Sequence, residues 1–83
     1  MQPFVLTAHA ALVARERQID GSWIRRALES PDRTEADTCD PTLRHALCAV
    51  AEREGRVLRI VYDPCSSPWR VVTAFFDRRE RRT

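Results

Sequence analysis

The 83-residue sequence predicts an α+β domain in which two N-terminal helices pack on an antiparallel sheet. Three observations point that way. Residues 7–31 hold two capped segments with apolar side chains at helical spacing, and residues 57–63 and 69–77 are dense in β-branched and aromatic side chains. The length suits one hydrophobic core, so residues 1–83 are expected to form a single small domain with 78–83 as a basic tail.

The first helix is expected over residues 8–18, with Thr7 as its N-cap and His9 two positions into the first turn. Successive helical residues are about 100° apart, which puts His9 and Glu16 on one stripe with Arg17 beside it. Leu12 and Ile19, with Ala8 and Ala11, make the neighbouring stripe, and that is the one expected to be buried. His9 then stands at the edge of the core. Asp20 caps a second helix through Trp23, Ile24, Ala27 and Leu28, which Pro31 stops. Ile19 before that cap can pack on Ile24 as a hydrophobic staple.

Residues 33–38 alternate weakly and read as an edge strand or a loop, and residues 40–42 as a turn or a helix start. Residues 43–54 are ambiguous. Asp40, Pro41 and Gly55 are helix-end signals, but short apolar runs fit either element. Residues 57–63 and 69–77 are strands around the loop 64–68. A turn centred on Cys65 and Ser66 sets Arg59 opposite Thr73 and Tyr62 opposite Arg70. One face then holds Leu58, Ile60, Val72, Ala74 and Phe76 beneath the helices, and the other holds Val57, Arg59, Val61, Val71, Thr73 and Phe75. A slip in register would exchange these partners.

Composition narrows the function. With 43% hydrophobic and 31% charged residues and no apolar run near the roughly 20 needed to cross a bilayer, the chain is expected to be a globular protein of the cytoplasm with no membrane association. The first residues lack the basic and long apolar regions of a signal peptide. All 14 basic residues are arginines, whose planar donor forks suit phosphates and carboxylates. Residues 1–76 carry ten arginines against ten acids, and residues 77–83 carry four against two, so the net charge of +2 resides in the tail. Such a tail can hold an anionic partner, or it is a solvated terminus.

Cys39, Cys48 and Cys65 are odd in number and contain no CxxC, which argues against a disulfide framework. Adding His45 completes a formal four-ligand set, but its spacing matches no ordinary zinc site, and no metal or other cofactor is expected. The P-loop, GxGxxG, GxSxG and HExxH motifs are absent, which removes the nucleotidase, dehydrogenase, hydrolase and zinc-protease classes that need them.

The chemistry-bearing residues fit RNA cleavage without metal. That reaction needs a base for the 2′-hydroxyl proton, donors for the charge on phosphorus, and a proton for the leaving 5′-oxygen. His9, near a helix N-terminus that attracts anions, is the candidate base. Arg17, Arg59 and Arg70 are candidate phosphate clamps, Tyr62 an acid or stacking platform, and Thr73 a hydrogen-bond donor. Each also has a plain structural reading: His9 as a hydrogen-bonded helix residue, Glu16 and Arg17 as surface ions, Arg59 as a cross-strand residue, Tyr62 and Trp69 as caps on the core.

Taken together, the segments LT-x-HA, ER-x-I and I-x-x-AL, then VLR-x-VY and VVT-x-FFDRR, resemble a small bacterial family of unknown function. That family is similar to the RelE/BrnT-like toxins. The resemblance implies that residues 44–51 are a strand, bringing the antiparallel sheet to three or four strands. It also implies a ribonuclease toxin of a toxin–antitoxin system, with RNA as substrate and a cognate antitoxin as partner. His9, Arg17 and Thr73 match the pattern most clearly and are the candidate catalytic residues, and Arg59, Tyr62, Arg70, Arg78 and Arg79 the candidate RNA-binding ones. Two other classes compete: a non-catalytic module that binds nucleic acid or protein through its arginines, and an accessory subunit that packs on another chain through Val61, Val71 and Phe75.

Overall fold

The computed structural model describes residues 3–80. The chain runs β1 (Phe4–Leu6), α1 (Ala8–Glu16), α2 (Gly21–Glu29), β2 (Arg33–Ala36), β3 (Arg44–Val50), a 3-10 turn (Ala51–Arg53), β4 (Arg56–Asp63) and β5 (Trp69–Phe76). The five strands form one sheet in the order β1-β5-β4-β3-β2, in which β1 runs parallel to β5 and every other pair is antiparallel.

Both helices start where capping chemistry starts them. The Thr7 hydroxyl accepts from the Ala10 amide at 3.1 Å and the Asp20 carboxylate from the Ser22 amide at 2.8 Å, each satisfying a donor that lacks a partner within its helix. Ile19 and Ile24 are both buried in the core, as a staple requires. The buried stripe of α1 differs from the expected one. Ala10 and Ala14 face the core, while Leu12 is 48% exposed and Ala8 and Ala11 are also exposed. Alanines at i and i+4 bring the helix backbone close to β5, a geometry that the larger Leu12 would prevent.

The sheet has one more strand than expected and is mixed rather than antiparallel. β1 is only three residues long, and its register sets Phe4, Val5 and Leu6 against Trp69, Arg70 and Val71 at the far end of the chain. Residues 44–50 are a strand. Their helix-end signals belong to the flanks: Asp40 accepts from the Thr42 amide and hydroxyl in a turn, and the 3-10 turn ends on Glu54 and Gly55, both at positive φ.

The β4–β5 register also differs. Val61 pairs with Thr73 and Arg59 with Phe75, and then a bulge skips Val72 so that Tyr62 pairs with Val71 and Asp63 with Arg70. A bulge reverses which face the following residues occupy. Val71, not Val72, therefore joins Leu58, Ile60, Tyr62 and Ala74 in the core. Both helices pack on this face. Among the described residues no helix covers the other one.

Candidate functional site

Strand pairing lays two adjacent rows of side chains across the uncovered face. One row is Glu35, His45, Val61 and Thr73, and the next is Arg33, Leu47, Arg59 and Phe75. Residues paired directly across strands share a face, so all eight project to the same side.

At the β5 end of the first row stands His9. Because β1 covers β5 only as far as Val71, the first turn of α1 closes over the next stretch of β5. Thr7 donates its amide to the Val71 carbonyl at 3.0 Å and its hydroxyl to that of Val72 at 3.3 Å. These two bonds seat α1 so that His9 Nε2 lies 3.4 Å from Thr73 Oγ1. His9 is exposed, and its backbone amide is in the first turn of the helix, where donors lack helical acceptors. Residues 64 positions apart, picked out separately in the sequence, thus meet at one rim of the face.

Arg59 is at the centre, and it is not an open clamp. Only 6% exposed, it donates Nε to Asp77 at 2.9 Å and Nη1 to Glu35 at 3.1 Å and His45 Nδ1 at 2.8 Å, while Nη2 faces Glu80 at 3.7 Å. Since a guanidinium only donates, Nδ1 of His45 is the accepting nitrogen and Nε2 carries the proton. That proton points to Asp37 at 2.7 Å. The His45 hydrogen bond, with the Asp40 and Cys39 amides, holds the Asp37 carboxyl below its ordinary range. The Arg59 hydrogen bond does the same for Glu35. For Asp77 burial works against ionisation, but the Arg79 amide and side chain and the Arg59 bond together outweigh it and keep its carboxyl low. Four carboxylates therefore surround one guanidinium and one imidazole, a region that holds cations firmly and, with Glu80 in place, repels a phosphate.

The other sequence candidates lie apart. Arg17 is the C-cap of α1, about 12 Å along the helix from His9, and its carbonyl accepts from Arg53 at 3.2 Å. Tyr62 is buried on the helix side, its ring 5.0 Å from that of Trp69. Arg70 is on the uncovered face at the hairpin end, 3.5 Å from Asp63. Arg78 is exposed, and Arg79 turns back to Asp77. Arg81 and Arg82, the remaining arginines of the basic tail, lie outside the described residues. The formal metal set does not converge: Cys48 is buried on the helix side, His45 is on the opposite face, and Cys39 and Cys65 are exposed.

The residues that sequence reasoning passed over as site members are His45, Asp37, Glu35, Asp77 and Glu80. A signal for one of them was present. Arg59 and Asp77 are the charged positions in the β-rich segments VLR-x-VY and VVT-x-FFD, and a buried charge on a strand requires a partner.

The family described as Domain of unknown function (DUF4258) matches residues 6–76, and the chain belongs to it. No curated protein and no solved structure matches the chain.

Proposed function

We propose that this DUF4258 member is a toxin-type, metal-independent endoribonuclease that works on the uncovered sheet face and is held in check by a cognate antitoxin protein. The observation that carries the reading is the approach of His9 Nε2 to Thr73 Oγ1, 3.4 Å, at an exposed rim beside the first turn of α1. An imidazole that is exposed yet oriented by a hydroxyl can reach a substrate without losing its aim. In this mechanism His9 takes the proton of the RNA 2′-hydroxyl, the 2′-oxygen attacks phosphorus, and the bond to the 5′-oxygen breaks. Water supplies the proton to the leaving oxygen, giving a 2′,3′-cyclic phosphate and a 5′-hydroxyl end. Thr73 positions the imidazole, and the free amides of the first turn of α1 face the charge on phosphorus. Arg59 takes no part in the chemical step, because its Nε and Nη1 are bound within the protein.

The test is cleavage of a defined RNA by purified protein. His9→Ala is expected to lower the rate at least about 100-fold and Thr73→Ala by less, with melting temperatures near that of the wild type. Intact RNA with the wild-type protein, together with normal growth of cells expressing it, would sink this reading. The occupied state of Arg59, which removes one candidate donor for the charge on phosphorus, leaves room for a second reading, a non-catalytic module in which the face only binds. In that case His9→Ala leaves RNA affinity unchanged and no cleavage is seen with any variant.

A further inference from the structure

Among the described groups near Arg59, Glu80 is set farthest beyond the strands, four residues past the end of β5 at Phe76. Its Oε1 accepts from Arg33 Nη2 at 2.6 Å, and its Oε2 lies 3.7 Å from Arg59 Nη2. Arg33 and Arg59 belong to the same row of the uncovered face, on β2 and β4 with Leu47 of β3 between them. Two guanidinium nitrogens from separate strands thus converge on a single carboxylate that the chain folds back to supply.

That geometry suits phosphate as well as it suits carboxylate, since both present two acceptor oxygens to paired N–H donors. The remaining donors of Arg59 stay committed to Asp77, Glu35 and His45, so the guanidinium is already fixed in place with Nη2 outward. Arg33 shares its nitrogen with Glu35 at 2.9 Å, and its side chain is 51% exposed. Apart from its side-chain contacts with the two arginines, Glu80 is tied back through its amide, which donates to the Asp77 carbonyl at 3.2 Å, and Asp77 itself remains anchored by Arg59 and by the Arg79 amide at 2.9 Å. Rotation after Asp77 would free the two arginines and leave the sheet intact. Phe75 ends the same row, and the row of Thr73 is next to it, about 7 Å along the strand.

We propose that Arg33 and Arg59 form a phosphate-binding subsite on the uncovered face, and that Glu80 of the same chain occupies it as a competing carboxylate. It rests on the ribonuclease reading only for the source of the phosphate, the RNA backbone.

The experiment measures binding in His9→Ala protein, where cleavage does not interfere. Glu80→Gln is expected to bind a short oligoribonucleotide about 3- to 10-fold more tightly, and inorganic phosphate to shift the Arg33 and Arg59 side-chain NMR signals at correspondingly lower concentration. Adding Arg33→Gln, a change at an exposed side chain, is expected to cancel both gains. A gain for inorganic phosphate alone upholds the subsite and assigns it to a free phosphate. Unchanged affinities in Glu80→Gln, or gains that survive Arg33→Gln, overturn it. Tighter binding without cleavage by wild-type protein upholds the subsite and removes the ribonuclease reading, whereas cleavage with no effect of Glu80 does the reverse.

Discussion

Asp77→Ala should be the most damaging single change on the uncovered face. It leaves Arg59, 6% exposed, with Nε unpaired, and it removes the acceptor that anchors the Arg79 turn. Breaking a buried ion pair by deleting one partner costs about 3–5 kcal/mol, and the surviving bonds to Glu35 and His45 put this case near the lower end. For 83 residues the unfolding entropy at the midpoint is about 0.17 kcal/mol/K. A loss of about 3 kcal/mol therefore lowers the melting temperature by about 17 °C. Circular dichroism melts of wild type, Asp77→Ala, the singles Asp77→Leu and Arg59→Leu, and the double variant Arg59→Leu/Asp77→Leu test it. The double variant should melt well above Asp77→Ala, because an apolar pair leaves no buried charge. A drop of less than about 5 °C in Asp77→Ala, or a double variant as unstable as the sum of the singles, would refute the claim that a buried pair organises this face.

Acid should destabilise the fold through the same residues. The carboxyls of Asp77, Glu35 and Asp37 all titrate lower in the folded chain than in the unfolded one, and Glu52, doubly bonded to Arg26, drops to about 2. A lowered folded value means stability fully present above the ordinary carboxylate range and lost as the pH falls through the folded values. Urea midpoints should be flat above about pH 5 and fall below about pH 4; a midpoint that holds constant down to pH 2 would contradict this. Arg53→Ala should loosen the end of α1, since Arg53 donates to the carbonyls of Arg17 and Gln18 at 3.2 Å and lies over the rings of Trp23 and Phe76. The expected cost is about 1–2 kcal/mol, with faster amide exchange in the last turn of α1. Arg53→Lys should not restore it, because an ammonium cannot stack flat while bonding two carbonyls.

What the sequence revealed depended on how local the cause was. Thr7 and Asp20 cap their helices through neighbours two or three residues away, and both helices are where those caps imply. β4 and β5 are dense enough in β-branched and aromatic residues to identify themselves. β1 is three residues long, and what makes it a strand is β5, more than 60 positions later. The β3 segment misleads because Asp40 and Gly55 do shape turns, but turns flanking a strand. At the site, His9 and Thr73 could be singled out by residue type and do meet. The full encirclement of Arg59 could not be foreseen, since Glu35, His45 and the segment carrying Asp77 and Glu80 come from three separate stretches of chain.

The bulge at Val72 ties fold to site. Had β5 continued without it in the register that pairs Tyr62 with Val71, Thr73 would stand opposite Ile60 and point beneath the helices, and Ala74 would face outward. The skipped residue keeps Val71 fully buried in the core and at the same time turns Thr73 to the uncovered face. The carbonyl of that residue also receives the Thr7 hydroxyl, the bond that seats the first turn of α1 beside β5. One extra residue thus sets both the outward direction of Thr73 and the position of the helix that carries His9. Substitutions in the pair can test chemistry, but the geometry on which the pair depends belongs to Val72 and Thr7.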